Sequence, residues 1–173
     1  MKKYIVCYGL TGILLLTSCA LFPRRHSQQG TQQLPSKPIL TGWLTPQKIF
    51  GQIREYQLEK GKYQPDNASL EKLKQCSTDI NIIVFLGTWC PDCQREVPRL
   101  LKIMDLIQNS HINYKLFGLD RSKRDQGGLA EKYKIEFVPT FVVLQNNKEI
   151  GRIVETPMVS LEQDLVEILA PLM

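Results

Sequence analysis

Phe85-Leu86-Gly87-Thr88-Trp89-Cys90-Pro91-Asp92-Cys93-Gln94-Arg95-Glu96-Val97-Pro98 is the stretch around which the rest of the chain is arranged. An apolar run over 80–86, rich in Ile, Val and Phe, precedes it and suits a buried strand. Behind it Val97, Leu100, Leu101, Met104 and Ile107 fall at helical spacing. Cys90 and Cys93 therefore stand where a strand hands over to the first turn of a helix. Unpaired backbone N–H groups and the positive end of the helix dipole favour the thiolate of the first cysteine. A thiolate is the attacking species in disulfide exchange, and Cys93, one turn on, can attack the resulting mixed disulfide. Asp92 works against this, because its charge lies close to both sulfurs.

A Cys-x-x-Cys pair also occurs as half of a zinc site. Structural zinc needs four ligands, and this chain has no second such pair and no closely spaced pair of histidines. His26 and His111 stand apart, in a polar linker and a helix-to-strand connection. No metal is expected.

The 173 residues suggest one domain, and 43% hydrophobic with 23% charged residues is ordinary for a globular protein. The net charge of +5 owes much to Lys2, Lys3, Arg24 and Arg25, so it does not point to nucleic acid. The first residues read as a targeting signal. Met1-Lys2-Lys3 is basic, and 4–16 is an apolar run too short for a secure membrane span. Residues 21–40 are rich in Gln, Ser, Pro and Arg without an apolar period, which reads as a tether. The expected division is a signal over 1–18, a tether over 19–41 and a folded domain over 42–173.

Within the domain, Thr45-Pro46 opens a helix over 46–59 with Ile49, Ile53 and Tyr56 on one apolar face. Residues 61–67 form a loop, and Ser69 is the expected cap of a short helix before Cys76. Strands follow at 81–86 and 114–119, with the long helix over 91–108 between them, kinked near Pro98. After a short helix over 129–133, strands at 141–144 and 149–154 join at Asn146-Asn147, a hairpin signal. A last helix over 160–169 starts with Ser160 and Gln163 spaced as a capping box. This order gives an α/β fold: a mixed central sheet flanked by helices, with an N-terminal helical extension.

Trp89-Cys90-Pro91-Asp92-Cys93 resembles the active-site motif of the thioredoxin superfamily. Pro98 stands where that family kinks its active-site helix, and Val138-Pro139-Thr140 resembles its cis-proline loop opposite the disulfide. The resemblance covers about 81–173 and implies a thioredoxin fold. It implies a Cys90–Cys93 redox disulfide that needs no organic cofactor, with Trp89, Pro91, Asp92 and Val138 walling the site. Pro139 would be cis, beside backbone that pairs with a peptide substrate. The chain departs from thioredoxin at Val84, where thioredoxins keep a buried Asp that moves the proton of the second cysteine. Glu96, one turn beyond Cys93, completes a W-C-x-x-C-x-x-E-x-P pattern similar to the membrane-anchored TlpA/ResA group. There a buried Glu96 would trade protons at the sulfurs; a solvated Glu beside Arg95 or Arg99 is the plainer alternative.

Leu16-Thr17-Ser18-Cys19 resembles the lipobox of bacterial lipoproteins. It implies that Cys19 becomes the first mature residue and carries lipid, which anchors the protein to a membrane facing the periplasm. Ala20, where an Asp would signal inner-membrane retention, points to the outer membrane. An ordinary secretory signal, or an uncleaved anchor, with an incidental cysteine is the alternative. Cys7 would leave with the signal, so Cys76 is the odd cysteine, read as a buried, inert thiol.

The resemblances together imply a tethered envelope thiol–disulfide oxidoreductase acting on protein disulfides, for example those of cytochrome c apoproteins, and served by an upstream redox partner. An envelope oxidant stays open, as does a binding module with a structural disulfide. A peroxidase of the peroxiredoxin kind lacks its upstream proline here.

Overall fold

The computed structural model describes residues 38–172. The expected signal peptide, Cys7, Cys19, His26 and most of the expected tether lie outside the described residues.

The described chain runs β1 (Gly42–Leu44), α1 (Pro46–Gln52), α2 (Arg54–Lys62), α3 (Asn67–Lys74), β2 (Ile80–Leu86), α4 (Pro91–Ile107), β3 (Ile112–Gly118), α5 (Leu129–Lys132), β4 (Thr140–Gln145), β5 (Lys148–Val154) and α6 (Leu161–Leu169), with a 3-10 turn at Ala170–Leu172. Five strands form one sheet in the order β1-β3-β2-β4-β5. β2 and β3 are parallel, as a strand–helix–strand crossover requires, and the other pairs are antiparallel. The mixed α/β architecture expected from the sequence is present.

β2 lies at the centre, paired on both edges and buried at Ile80, Ile82, Val84, Phe85 and Leu86. A strand covered on both faces reads as a continuous apolar run, which is why this segment is visible in the sequence. α4 lays Val97, Leu100, Leu101, Ile103 and Ile107 into the core. Pro98 lies inside this helix, where the ring removes one backbone donor. At Asn146 and Asn147 φ is 50° and 62°, and Gln145 pairs with Lys148 across them. Two left-handed residues in a two-residue loop match the twist of the strands, as asparagines permit. Ser160 Oγ accepts the N–H of Gln163 at 3.4 Å, half of the expected capping box.

Three expectations need correction, and one element is unforeseen. The single helix over 46–59 is two helices: Ile53 is extended (φ −132°, ψ 96°), and its own burial in the core holds the break. The cap of α3 is Asp66, whose carboxylate accepts both the N–H and the hydroxyl of Ser69 at 2.8 and 2.7 Å. A three-residue strand, β1, pairs with the outer edge of β3; Gly-Trp-Leu is too short to show a period. The fold also starts before residue 42. Leu40 is buried and its N–H donates to Thr88 Oγ1 at 3.1 Å, while that hydroxyl donates to the Pro38 carbonyl at 2.7 Å.

Candidate active site

The site sits at the C-terminal end of β2, where the chain turns into α4. Cys90 is the N-cap of α4 and Pro91 its first residue, a position where proline's missing N–H costs nothing. The Cys90 N–H donates to the Gly87 carbonyl at 2.9 Å and closes the turn. Gly87 has a second role, because a Cβ there would meet the Trp89 ring at 2.6 Å. That close approach lets the indole lie over the turn, with Nε1 donating to the Leu119 carbonyl at 3.1 Å and the Arg121 guanidinium 5.2 Å from the ring centre.

Both sulfurs are reduced, and their surroundings differ. Cys90 is 6% exposed, and its thiol donates to the Val138 carbonyl at 3.2 Å. A hydrogen bond from the Cys93 thiol brings its pKa down to about 6; burial opposes this, the N–H groups of Cys93 and Asp92 assist, and the Asp92 charge opposes. Asp92 thus acts in the expected sense, although Arg95 pairs with it at 2.8 Å. Cys93 is fully buried, and its sulfur accepts the Gly87 N–H at 3.2 Å. Burial first, then the hydrogen bond to Cys90 and the charge there, push its thiol far up. One cysteine is set to be a thiolate and the other to keep its proton.

The Val138–Pro139 bond is cis. The Pro139 carbonyl accepts the Glu155 N–H at 2.7 Å, so it is already engaged within the fold. Val138 is buried and brings its carbonyl to Cys90, while Phe137 beside it is 48% exposed. The structure thus gathers Trp89, Cys90, Pro91, Asp92, Cys93, Val138 and Pro139 at one end of the sheet.

Glu96 is 1% exposed, which removes the solvated alternative. Its Oε1 accepts Arg95 Nε at 2.6 Å and an Arg99 N–H at 3.2 Å. Its Oε2 is buried without a hydrogen-bond partner. Arg99 also donates to Glu59 Oε1 from Nε at 2.9 Å and lies 4.9 Å over the Tyr63 ring, which ties α2 to α4. Val84 is fully buried, so no acid stands in β2 beneath the sulfurs.

Cys76 lies apart from this cluster, 2% exposed, its thiol directed to the Thr78 carbonyl at 3.6 Å. Among the described residues no group of three or more His, Cys, Asp or Glu side chains could hold a metal ion. Sequence reasoning missed Thr88 and the α2 residues Tyr56 and Glu59. Thr88 has only its place beside Trp89 to mark it, and Tyr56 reads as one more apolar residue on a helix face.

A reactive cysteine at a helix N-cap, a buried partner three residues on and the carbonyl of Val138, the residue before the cis-proline, at the first sulfur define a thiol-exchange site on a mixed α/β sheet. The family model described as thioredoxin matches residues 53–166, and the chain belongs to the thioredoxin family. It is 26% identical over 131 residues to thioredoxin Y1, chloroplastic, of Arabidopsis thaliana, covering 76% of this chain and 66% of that one. It is 30% identical over 88 residues to thioredoxin H-type of Fagopyrum esculentum, covering 51% of this chain and 70% of that one. The chain spans 48% of the length of thioredoxin Y, chloroplastic, of Oryza sativa subsp. japonica. Among solved structures, Fasciola hepatica thioredoxin is 23% identical, with a TM-score of 0.41 over 61% of this chain and 93% of that one.

Proposed function

We propose that this protein is a thiol–disulfide oxidoreductase that reduces protein disulfides through the Cys90–Cys93 couple. The observation that carries the reading is the inequality of the two sulfurs, one held down to about 6 and the other buried and held up. Cys90 attacks a substrate disulfide and forms a mixed disulfide. Cys93 then attacks Cys90, the pair closes to a disulfide, and the substrate leaves as two thiols. The couple itself carries the two electrons, so no organic cofactor enters, and an upstream thiol partner restores the reduced form. The likeness of the W-C-x-x-C-x-x-E-x-P pattern to the TlpA/ResA group supports the reducing direction.

The finer reading is a membrane-tethered protein of the TlpA/ResA kind in the bacterial envelope. Two features support it. Glu96 keeps the spacing of that group and is buried with its Oε2 unpartnered, where Val84 leaves β2 without an acid. The Leu16-Thr17-Ser18-Cys19 sequence after a short apolar run supports lipid on Cys19 and a periplasmic site, at the outer membrane because Ala20 follows. Among the described residues no helix is long and apolar enough to cross a membrane. Apoprotein cysteines of c-type cytochromes are one substrate class such a tethered reductant serves.

The reduction potential of the couple tests the direction. A value near −270 mV, about that of thioredoxin, is expected; one near −120 mV, about that of DsbA, would make the protein an oxidant. Mass spectrometry of the membrane fraction tests the anchor: a mature chain starting elsewhere than a lipid-modified Cys19 sinks it.

A further inference from the structure

We propose that the Tyr56 hydroxyl, supplied by the helical extension, donates a hydrogen bond to the Cys93 sulfur as that sulfur becomes a thiolate. This rests on the reading of Cys90–Cys93 as the exchanging couple.

Tyr56 is fully buried and is among the largest side chains in the core. Its hydroxyl is one of two buried side-chain polar atoms without a hydrogen-bond partner among the described residues; the other is Glu96 Oε2. A hydroxyl left unmet in a core is costly, and phenylalanine would fill the same space without that cost. Tyr56 is carried by α2, which packs against α4, the helix that holds Cys93. Beyond burial, the groups that act on the hydroxyl are the sulfurs of Cys93 and then Cys90, so it lies within the electrostatic reach of both. Burial and these charges push its pKa well above the usual 10, so the oxygen keeps its proton throughout the cycle. It is therefore a donor and never a base.

Apart from Glu96 Oε2, the carboxylate oxygens named at this seam are acceptors already in use. Glu59 is paired with Arg99, and Glu96 Oε1 with Arg95 and Arg99. Asp92 pairs with Arg95, and its charge opposes thiolate formation at Cys93. From the turn, only the Gly87 N–H reaches the Cys93 sulfur. A single backbone N–H is thin support for an anion with no acid beneath it, and Tyr56 supplies a second donor at the moment charge appears.

The step balances as follows. In the mixed disulfide Cys93 gives up its proton and its sulfur attacks Cys90 Sγ. The Cys93–Cys90 bond forms and the bond from Cys90 to the substrate sulfur breaks. The departing thiolate takes up a proton, so the couple is oxidised by two electrons and the substrate reduced by two. Tyr56 retains its own proton throughout.

Stopped-flow reaction of the full-length reduced protein with 5,5′-dithiobis(2-nitrobenzoate) separates the two attacks. The first thionitrobenzoate released reports Cys90, and the second reports Cys93 resolving the mixed disulfide. In Tyr56→Phe the second phase should slow roughly ten- to a hundredfold, the worth of a hydrogen bond to a charged group, while the first changes less than about twofold. The thermal unfolding midpoint should not fall, because the lost hydroxyl had no partner. An unchanged second phase overturns the proposal, as does equal slowing of both phases with a lowered midpoint. No first phase in the wild type would instead defeat the underlying reading of Cys90. Should the variant not fold, 3,5-difluorotyrosine at position 56 keeps the ring and makes the hydroxyl a stronger donor. A faster second phase then supports the proposal, and an unchanged one overturns it.

Discussion

The front and back of this site are built in different ways. At the front, Cys90 meets the thiol of Cys93 and then nearby backbone: the N–H groups of Cys93 and Asp92 and the Val138 carbonyl. At the back, the seam between α2 and α4 is made of side chains, with Glu59, Arg99, Glu96 and Arg95 joined in sequence and the buried Tyr56 hydroxyl within electrostatic reach of the sulfurs. The front follows from the local path of the chain and needs only a turn, a helix start and a cis peptide. The back needs a helix that lies far upstream in the sequence. The difference teaches that reactivity at the first sulfur comes with the fold, whereas control of the second sulfur is added by what is packed behind it.

The largest expected effect breaks the front. Cys90→Ser should lower reduction of a protein disulfide such as insulin's by at least roughly a thousandfold, because the nucleophile is gone. Cys93→Ser should instead accumulate mixed disulfides with substrate. If Cys90→Ser is the variant that traps partners, the roles are reversed.

Next comes the pH dependence of stability in the reduced protein. The folded pKa of Cys90 is depressed from 9.0 to about 6. Between those values the unfolded chain holds a proton that the folded one has released, so stability rises with pH, by up to roughly 4 kcal/mol, and is lost again as pH falls through about 6. Cys93 has the opposite sign: its raised thiol contributes stability below the unfolded value, and that stability is lost as pH climbs above about 9. Urea unfolding from pH 5 to 10 should show stability rising and then falling in the reduced protein. The oxidised protein, which has neither group, should show no such maximum. A reduced-state profile that matches the oxidised one would contradict the inequality of the sulfurs.

A smaller effect sharpens the back. Glu96→Gln removes a negative neighbour of the site and should lower the apparent thiol pKa slightly while slowing the proton-dependent step several-fold. Alkylation rate against pH checks this. Superimposable profiles with unchanged turnover would leave Glu96 as a structural partner of Arg95 and Arg99. The smallest effect lies outside both regions: Cys76→Ala should keep insulin reduction within about twofold of wild type, since a buried thiol turned to a backbone carbonyl has no access to substrate. A loss on the scale of Cys90→Ser would make Cys76 a third redox centre.

The same front-and-back division governs what the sequence discloses. The Cys pair, the Val-Pro-Thr loop, the apolar β2 run and the Asn-Asn hairpin are local signals, and each stands where its local physics places it. The break at Ile53 is not local. Residues 46–59 carry a helical period, and only the burial of Ile53 and Tyr56 against the core makes two helices of it. Glu96 is half legible: its spacing puts it one turn from Cys93, but its arginine partners include one that also binds Glu59 in another helix. Tyr56 is legible as an apolar anchor, but not that its hydroxyl is buried without a partner, because that depends on what surrounds it. Asp66 displaced Ser69 as the α3 cap because a carboxylate can take both the N–H and the hydroxyl of the serine.

β1 and the residues before it carry a consequence for where this domain can be cut. The family match starts at residue 53. A shortened chain starting there would lack β1 and uncover Leu116, Phe117 and Gly118, which lengthens the open outer edge of β3 to the whole of Ile112–Gly118. Open edges of this kind are templates for pairing between copies, so the shortened chain should self-associate during refolding, whereas one starting at Pro38 should not. It would also strip Thr88 of the Pro38 carbonyl and the Leu40 N–H, one residue from Trp89. If so, the boundary of the family match and the boundary of the soluble domain are different places, and the fifteen or so residues between them are expected to act as a guard against aggregation.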